Sequence, residues 1–284
     1  MKKWVFWLVI LILIGVEAIG QEYGGDDYSS AVDQRQEAPS RKNILINITK
    51  EQIYEGNLVL VNKEHAVHSQ GVKSDVVNLF QHKELVQGYS VLDNTIRLSE
   101  SVAQQFVSMM SAAREDGVRH FMISSGYRDA SEQRKLYREK GADYALPAGH
   151  SEHNLGLSLD IGSTEEEMSQ APEGKWLEQH ASEYGFVLRY PKDKAEITGI
   201  QYEPWHFRYV GLPHSMIMQE NDFTLEQYLE YLRENKTLSA DVNGKNYEIA
   251  YYPVGKKTAV QVPANRHYEI SGNNVDGVIV TVLP

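Results

Sequence analysis

Hydrophobic and polar positions recur with helical and strand periods through residues 52–235 of this chain. Apolar residues at helical spacing predict a helix that begins after Ser99, a good N-cap, and ends near Gly117. A later helix is predicted after Thr224, which forms a capping box with Gln227 three residues on. These signals place helices on both sides of a central region of the sequence.

Short apolar runs of strand length lie between the predicted helices. They cover residues 118–124, 156–161, 186–190 and 205–210. Helices and strands mixed in this way, with some hairpins, predict an α+β domain and not a doubly wound parallel sheet.

The character of the chain changes after Lys236, where β-rich segments begin. Asn243-Gly244 between two such segments is a strong signal for a two-residue hairpin. We therefore predict a separate, small all-β module over residues 236–284. Wall binding, partner binding and structural support all remain open as its role.

The N-terminus combines two lysines, Lys2 and Lys3, with an unbroken apolar run from Trp4 to Val16. As a helix this run spans about 20 Å, less than the roughly 30 Å hydrocarbon core of a bilayer. Residues 1–20 are predicted to be a signal peptide or a membrane anchor. Residues 21–50 are predicted to be a flexible linker. We expect export, either to the outer face of the cytoplasmic membrane or as a secreted protein of the cell-wall space.

Composition narrows the chemistry that the domain can perform. The chain has 28 Lys and Arg against 39 Asp and Glu, a net charge of −11, which disfavours a nucleic-acid partner. It contains no cysteine, which excludes disulfides, cysteine-ligated zinc and a thiol nucleophile. Any metal must therefore be bound by histidine and carboxylate side chains.

Residues of that kind are concentrated in the middle of the chain. His153, Asp160 and His206 supply two imidazoles and one carboxylate, a set that binds catalytic Zn²⁺ while leaving a position for water. His150 competes with them as a ligand by spacing alone.

Glu203 lies three residues before His206. A carboxylate beside a metal can take a proton from the attacking water and pass it to a leaving amine. Side chains three apart on a flat strand point to opposite faces, so Pro204 must bend the chain for both to face one metal.

The pattern Ser151-x-His153-x-x-Gly156-x-x-x-Asp160, followed by Glu203-x-x-His206, resembles zinc D,D-carboxypeptidases of the lysostaphin, D-Ala-D-Ala-metallopeptidase and hedgehog fold group. The stretch from Glu51 onward is more closely similar to VanY-type D-alanyl-D-alanine carboxypeptidases. The supporting segments are residues 124–129, 145–154, 185–191, 197–199 and 202–211. The resemblance implies an antiparallel-sheet zinc peptidase domain with flanking helices over residues 51–235.

The same resemblance implies roles for individual residues. His153, Asp160 and His206 would bind one Zn²⁺, and Glu203 would be the general base; His150 occupies a variable place in the family motif.

Substrate contacts are implied for three further residues. Arg128 would hold either the substrate's terminal carboxylate or its scissile carbonyl oxygen, Ser151 would hydrogen-bond the peptide, and Gln133 would line the specificity pocket.

The expected function is that of an exported zinc carboxypeptidase. It would remove the C-terminal D-Ala from peptidoglycan precursor stem peptides, with the cell membrane as a second partner and an accessory role in glycopeptide resistance. One alternative is an L,D-carboxypeptidase that trims tetrapeptide stems, or a dipeptidase. Another is a zinc-bearing muropeptide-binding module without catalysis, against which Glu203 argues, since a pure binder needs no base.

Overall fold

The computed structural model describes residues 43–141 and 145–284. The strands in these ranges are β1 (Asn43–Ile48), β2 (Val76–Asn78), β3 (Ser90–Val91), β4 (Arg97–Ser99), β5 (Phe121–Ser125), β6 (Ser158–Ser163), β7 (Phe186–Leu188), β8 (His206–Tyr209), β9 (Thr237–Val242), β10 (Lys245–Pro253), β11 (Thr258–Pro263), β12 (Tyr268–Gly272) and β13 (Gly277–Val282). The helices are α1 (Glu100–Glu115), α2 (Ala130–Lys140), α3 (Pro172–His180), α4 (Ala195–Thr198), α5 (His214–Glu220) and α6 (Leu225–Asn235). This mixture confirms the predicted α+β class.

A sheet with the strand order β3-β5-β6-β8-β7 forms the centre of residues 51–235. β3 pairs with β5 in parallel, while the other neighbouring strands are antiparallel. Asp160 on β6 lies in register with His206 on β8, and on its other side with Ser125 at the end of β5. The sheet thus brings the sequence segments around Ser125, Asp160 and His206 to one point.

The main helix begins and ends where the sequence predicts. The Ser99 hydroxyl accepts a hydrogen bond from the Val102 backbone N–H, and Gly117 follows the helix with a φ of +83°. Phe106 and Met110 on its inner face are fully buried in a core shared with the central sheet. Each such side chain contributes roughly 1.5–3 kcal/mol through burial.

The C-terminal strands form an antiparallel sheet with the order β12-β13-β10-β9. The predicted hairpin at Asn243-Gly244 is confirmed, because Val242 pairs with Lys245 and both turn residues have positive φ. A two-residue turn of this kind requires positive φ at both central positions, which Asn and Gly tolerate.

The prediction that these strands form a separate module is wrong. The described residues from Asn43 onward form one compact unit. Tyr228 and Leu229 of α6 share a buried core with Ile249 and Ile279 of the sheet. Fewer than 50 residues rarely bury an adequate core by themselves, and here the amphipathic helix α6 covers the apolar face.

The predicted linker over residues 21–50 also requires correction, because residues 43–48 form β1. This strand pairs antiparallel with β11 from Asn43–Pro263 to Ile48–Thr258. Ile48 is buried among apolar residues of the C-terminal strands, which explains the pairing. The segment 1–20 and residues 21–42 of the predicted linker lie outside the described residues. In the ranges that the structure does describe, no helix combines the length and apolar character needed to cross a membrane.

Candidate metal centre and active site

His153, Asp160 and His206 converge on one point at the centre of the sheet. Their candidate ligand atoms all lie within 4.8 Å of one another. Asp160 Oδ2 is 3.3 Å from His153 Nε2, and Asp160 Oδ1 is 3.0 Å from His206 Nδ1. Tetrahedral zinc with bonds of about 2.0–2.2 Å separates its ligand atoms by about 3.3–3.6 Å. The donor set and its spacing therefore suit a zinc ion.

His153 is oriented by its backbone surroundings. It lies in a short 3₁₀ turn, Glu152–Asn154, and its Nδ1 donates a 2.6 Å hydrogen bond to the carbonyl oxygen of Gly126. A Cβ atom at Gly126 would lie 2.1 Å from the carbonyl oxygen of Arg97, so only glycine fits where this carbonyl is presented. With the proton on Nδ1, the Nε2 lone pair is free to bind a metal.

His206 presents Nδ1 to the metal site, whereas His153 presents Nε2. Its Nδ1 faces Asp160, while its Nε2 is 3.5 Å from Glu152 Oε2. That contact is electrostatic, because Nε2 forms no hydrogen bond with any of the described residues. A proton on Nε2 directed at Glu152 leaves Nδ1 free on the metal side.

The charge state of these groups reflects their neighbours. Burial opposes ionisation of Asp160, but the two imidazoles outweigh burial and hold its pKa below the ordinary value. Burial and the Arg128 guanidinium lower the pKa of His153. For His206, the Asp160 and Glu152 carboxylates overcome burial and raise the pKa to about 9. The Asp160 and Glu152 carboxylates therefore favour positive charge on the His206 side of the site, where a divalent cation would supply it.

Glu203 lies on the same side of His206 as Asp160. Its Oε2 is 3.7 Å from His206 Nδ1. The predicted bend at Pro204 is present, since the His206 backbone N–H donates to the Glu203 carbonyl oxygen in a tight turn. Burial raises the pKa of Glu203, and the Asp160 charge adds to this against the opposing effects of His206 and Arg128. A raised pKa brings a carboxylate closer to the range in which it works well as a base near neutral pH.

Arg128 is tied to the same turn as His153. Its backbone N–H donates to the His153 carbonyl oxygen (3.1 Å), and its own carbonyl accepts from Asn154 Nδ2 (2.6 Å). Its guanidinium interacts electrostatically with Asp160 and Glu203, which partly offset the lowering of its pKa by burial. Its buried Nε has no hydrogen-bond partner among the described residues. The guanidinium therefore lies beside the metal ligands, where its charge can act on a substrate oxygen.

The remaining predicted residues take different places. Ser151 is buried and directly precedes the turn that carries His153. Gln133 is buried on α2, where its Nε2 donates to the Leu146 carbonyl oxygen, and its Oε1 is unpaired among the described residues. His150 is not in the metal-binding group; its Nδ1 donates to the carbonyl oxygen of Asn62.

Sequence reasoning missed a buried charged cluster behind His206. It consists of Glu152, Arg189 and Arg208, whose side chains are all fully buried. A usable signal was present, since Arg189 and Arg208 each interrupt an apolar strand-like run. Charged residues at such positions are buried only when they are paired.

Comparison with known proteins agrees with this geometry. Residues 95–212 match the family described as "VanY: D-alanyl-D-alanine carboxypeptidase". A D-alanyl-D-alanine carboxypeptidase of Enterococcus faecium is 53% identical over 294 residues, covering 100% of this chain and 97% of that protein. This chain belongs to the VanY family.

Solved structures of VanY-related enzymes share the fold. The vancomycin-resistance D,D-dipeptidase VanXYg, solved with a D-Ala-D-Ala phosphinate analogue, matches with a TM-score of 0.73 and 33% identity, covering 86% of this chain and 99% of that one. The D,D-pentapeptidase VanY of a VanB-type cassette, solved as a mutant with Zn(II), matches with a TM-score of 0.52 and 30% identity, covering 62% of this chain and 99% of that one.

Proposed function

We propose that this VanY-family protein is a zinc D,D-carboxypeptidase that hydrolyses the C-terminal D-Ala of peptidoglycan stem peptides ending in D-Ala-D-Ala. The observation that carries this proposal is the position of Glu203, whose carboxylate lies 3.7 Å from the same nitrogen of His206 that faces Asp160. A base and a metal-binding set thus share one side of the site. The names of the related enzymes support D-Ala-D-Ala ends as the substrate.

His153 Nε2, Asp160 and His206 Nδ1 would hold the zinc ion. Zinc bound there supplies a Lewis acid that polarises the scissile carbonyl group. The two histidines would bind it through different ring nitrogens, because their other nitrogens face Gly126 and Glu152.

Glu203 performs the proton transfers of the reaction. It accepts a proton from the attacking water as the water oxygen bonds to the carbonyl carbon of the scissile peptide. The C–N bond then breaks, and Glu203 delivers that proton to the amine of the departing D-Ala. Burial supports both steps, because it raises the pKa of Glu203.

Arg128 binds the substrate. Its guanidinium can pair with the terminal carboxylate of D-Ala or stabilise the negative charge that develops on the carbonyl oxygen. Ser151 would hydrogen-bond the peptide, and Gln133, which is buried on α2, would line the specificity pocket.

Hydrolysis of a pentapeptide stem by the full-length protein, followed by mass spectrometry, tests the reaction. We expect loss of one D-Ala from the pentapeptide, and no such loss with Glu203→Gln. Cleavage of a tetrapeptide stem in place of the pentapeptide would establish an L,D-carboxypeptidase. Cleavage of free D-Ala-D-Ala alone would establish a dipeptidase, and binding without any cleavage would establish a muropeptide-binding module.

We further propose that the protein acts outside the cytoplasm, anchored at the outer face of the membrane. Lys2, Lys3 and the apolar run at residues 4–16 support export, and tethering would raise the effective concentration of lipid-linked precursors. Removal of terminal D-Ala there destroys the D-Ala-D-Ala end that glycopeptide antibiotics bind, which supports an accessory role in resistance. Cell fractionation with sequencing of the mature N-terminus tests the anchor, and a soluble secreted form beginning near Ile19 or Gln21 would contradict it.

A further inference from the structure

The face of His206 that turns away from Asp160 meets a buried carboxylate that the reaction does not use. Glu152 Oε2 lies 3.5 Å from His206 Nε2, and the Glu152 side chain is 0% exposed. We propose that Glu152 is a positioning residue that fixes His206 as an Nδ1 ligand, and that Arg189, itself paired with Glu226 of helix α6, holds Glu152 in place. This inference rests on the proposed zinc site.

Both oxygens of Glu152 are held by neighbouring groups. Oε1 accepts hydrogen bonds from Arg189 Nε (2.8 Å) and from Arg208 Nη1 (2.7 Å). Oε2 accepts from the Ser158 hydroxyl (3.0 Å), on the strand that carries Asp160. The carboxylate is fully buried and therefore cannot rotate without breaking at least one charge-assisted hydrogen bond.

Arg208 anchors this arrangement to the chain. Its Nη2 donates to the carbonyl oxygens of Asn57 and Val59 at 2.9 Å each, and its Nε donates to that of Tyr209. Because each of its nitrogens is engaged, the guanidinium has one orientation, and Glu152 is held against a fixed donor.

Arg189 extends the arrangement to helix α6. Its Nη1 and Nη2 donate to the two carboxylate oxygens of Glu226 at 2.9 and 2.6 Å, a bidentate pair. A continuous chain of charged groups thus runs from His206 through Glu152 and Arg189 to Glu226. Since α6 also shares a core with the C-terminal sheet, this series of charged groups connects the C-terminal part of the protein to the metal ligands.

A carboxylate behind a metal-binding histidine fixes both the ring orientation and the proton on the distal nitrogen. Loss of such a partner typically weakens metal binding or activity by about 10- to 100-fold. A change at Glu226 should act in the same direction but more weakly, because Arg208 and Ser158 would still hold Glu152.

The test measures zinc affinity of the full-length protein by competition with a chromophoric chelator, together with the visible spectrum of the Co(II)-substituted protein. Glu152→Gln keeps the shape of the side chain and removes its charge. Glu226→Gln removes the charge at the partly exposed end of the series of charged groups, where a substitution disturbs folding less. The matched control is Glu230→Gln, one turn further along α6, whose partner Arg233 is exposed.

We expect Glu152→Gln to bind zinc about 10- to 100-fold more weakly than the wild type and to shift the Co(II) spectrum. Glu226→Gln should show a smaller loss, and Glu230→Gln none. If Glu152→Gln fails to fold, the result for Glu226→Gln decides. Wild-type affinities and an unchanged spectrum in both variants would overturn the inference while leaving the proposed function intact. Absence of zinc binding by the wild type would instead overturn the proposed function.

Discussion

Acidification should destabilise this fold through His214, a buried histidine remote from the metal ligands. His214 is 4% exposed and joins α5 to α6 and β13. Its Nδ1 is 2.7 Å from the Tyr228 hydroxyl, and its Nε2 is 3.0 Å from the Thr281 hydroxyl. Burial without an acidic partner lowers the pKa of His214 to about 3.

The direction and the size of the effect follow from this value. In the unfolded chain His214 takes up a proton below its ordinary pKa of 6.5, whereas in the folded chain it stays neutral until about 3. Its contribution to stability is therefore complete above 6.5 and is lost as the pH falls toward 3. At about 1.4 kcal/mol per pH unit, a change from about pH 7.5 to about pH 5 removes about 2 kcal/mol from the free energy of unfolding.

Urea unfolding of the full-length protein at both pH values, with a chelator present throughout, measures this loss. Groups other than His214 titrate in every variant, so the comparison with His214→Gln isolates the histidine. The wild type should lose about 2 kcal/mol more than His214→Gln over this range. His120→Gln is the control, because the His120 side chain is 57% exposed and its removal should leave the loss unchanged. Equal losses in the wild type and in His214→Gln would refute the reasoning.

Changes at the active site should separate proton transfer from metal binding. Glu203→Gln should retain zinc but lower kcat by about 10²- to 10⁴-fold in a D-Ala release assay; retention of more than a few per cent of the rate would contradict its role as base. His206→Ala should lose stoichiometric zinc in metal analysis. Chelation should abolish turnover while the far-UV circular dichroism persists, since the large core between α1 and the central sheet consists of apolar side chains and includes none of the three ligands. Gly126→Ala should lower both zinc content and Tm, because its Cβ would approach the Arg97 carbonyl oxygen to 2.1 Å, and an unchanged Tm would show that the backbone relaxes freely.

The features that the sequence predicts well depend on residues close together in the chain. The caps at Ser99 and Thr224 and the turn at Asn243-Gly244 each involve interactions over three residues or fewer, and the structure has all three. The turn between Glu203 and His206 belongs to the same class. Local hydrogen bonding and allowed φ values decide such features, so composition and spacing suffice to predict them.

The features that the sequence does not predict depend on which distant segments pair. β1 is short and follows a polar tract, and only its pairing with β11 identifies it as a strand. The burial of Arg189 and Arg208 likewise depends on Glu152, which lies 37 positions from Arg189 and 56 from Arg208. An arginine in an apolar run, taken without that carboxylate, suggests an exposed strand at the edge of a sheet. The burial of these arginines is therefore predictable only once their pairing with Glu152 is known.

The three carboxylates around His206 illustrate how their surroundings assign different roles to similar groups. Two guanidinium groups overcome the burial of Glu152 and hold its pKa well below the ordinary value, so it remains a fixed anion behind the ring. Two imidazoles do the same for Asp160, which suits a metal ligand that must stay ionised. Burial dominates at Glu203 and raises its pKa, which suits a group that must take up a proton and release it again. Environments that push the pKa values of neighbouring acids apart distinguish a base from ligands, and here they support the proposed role of Glu203 in proton transfer.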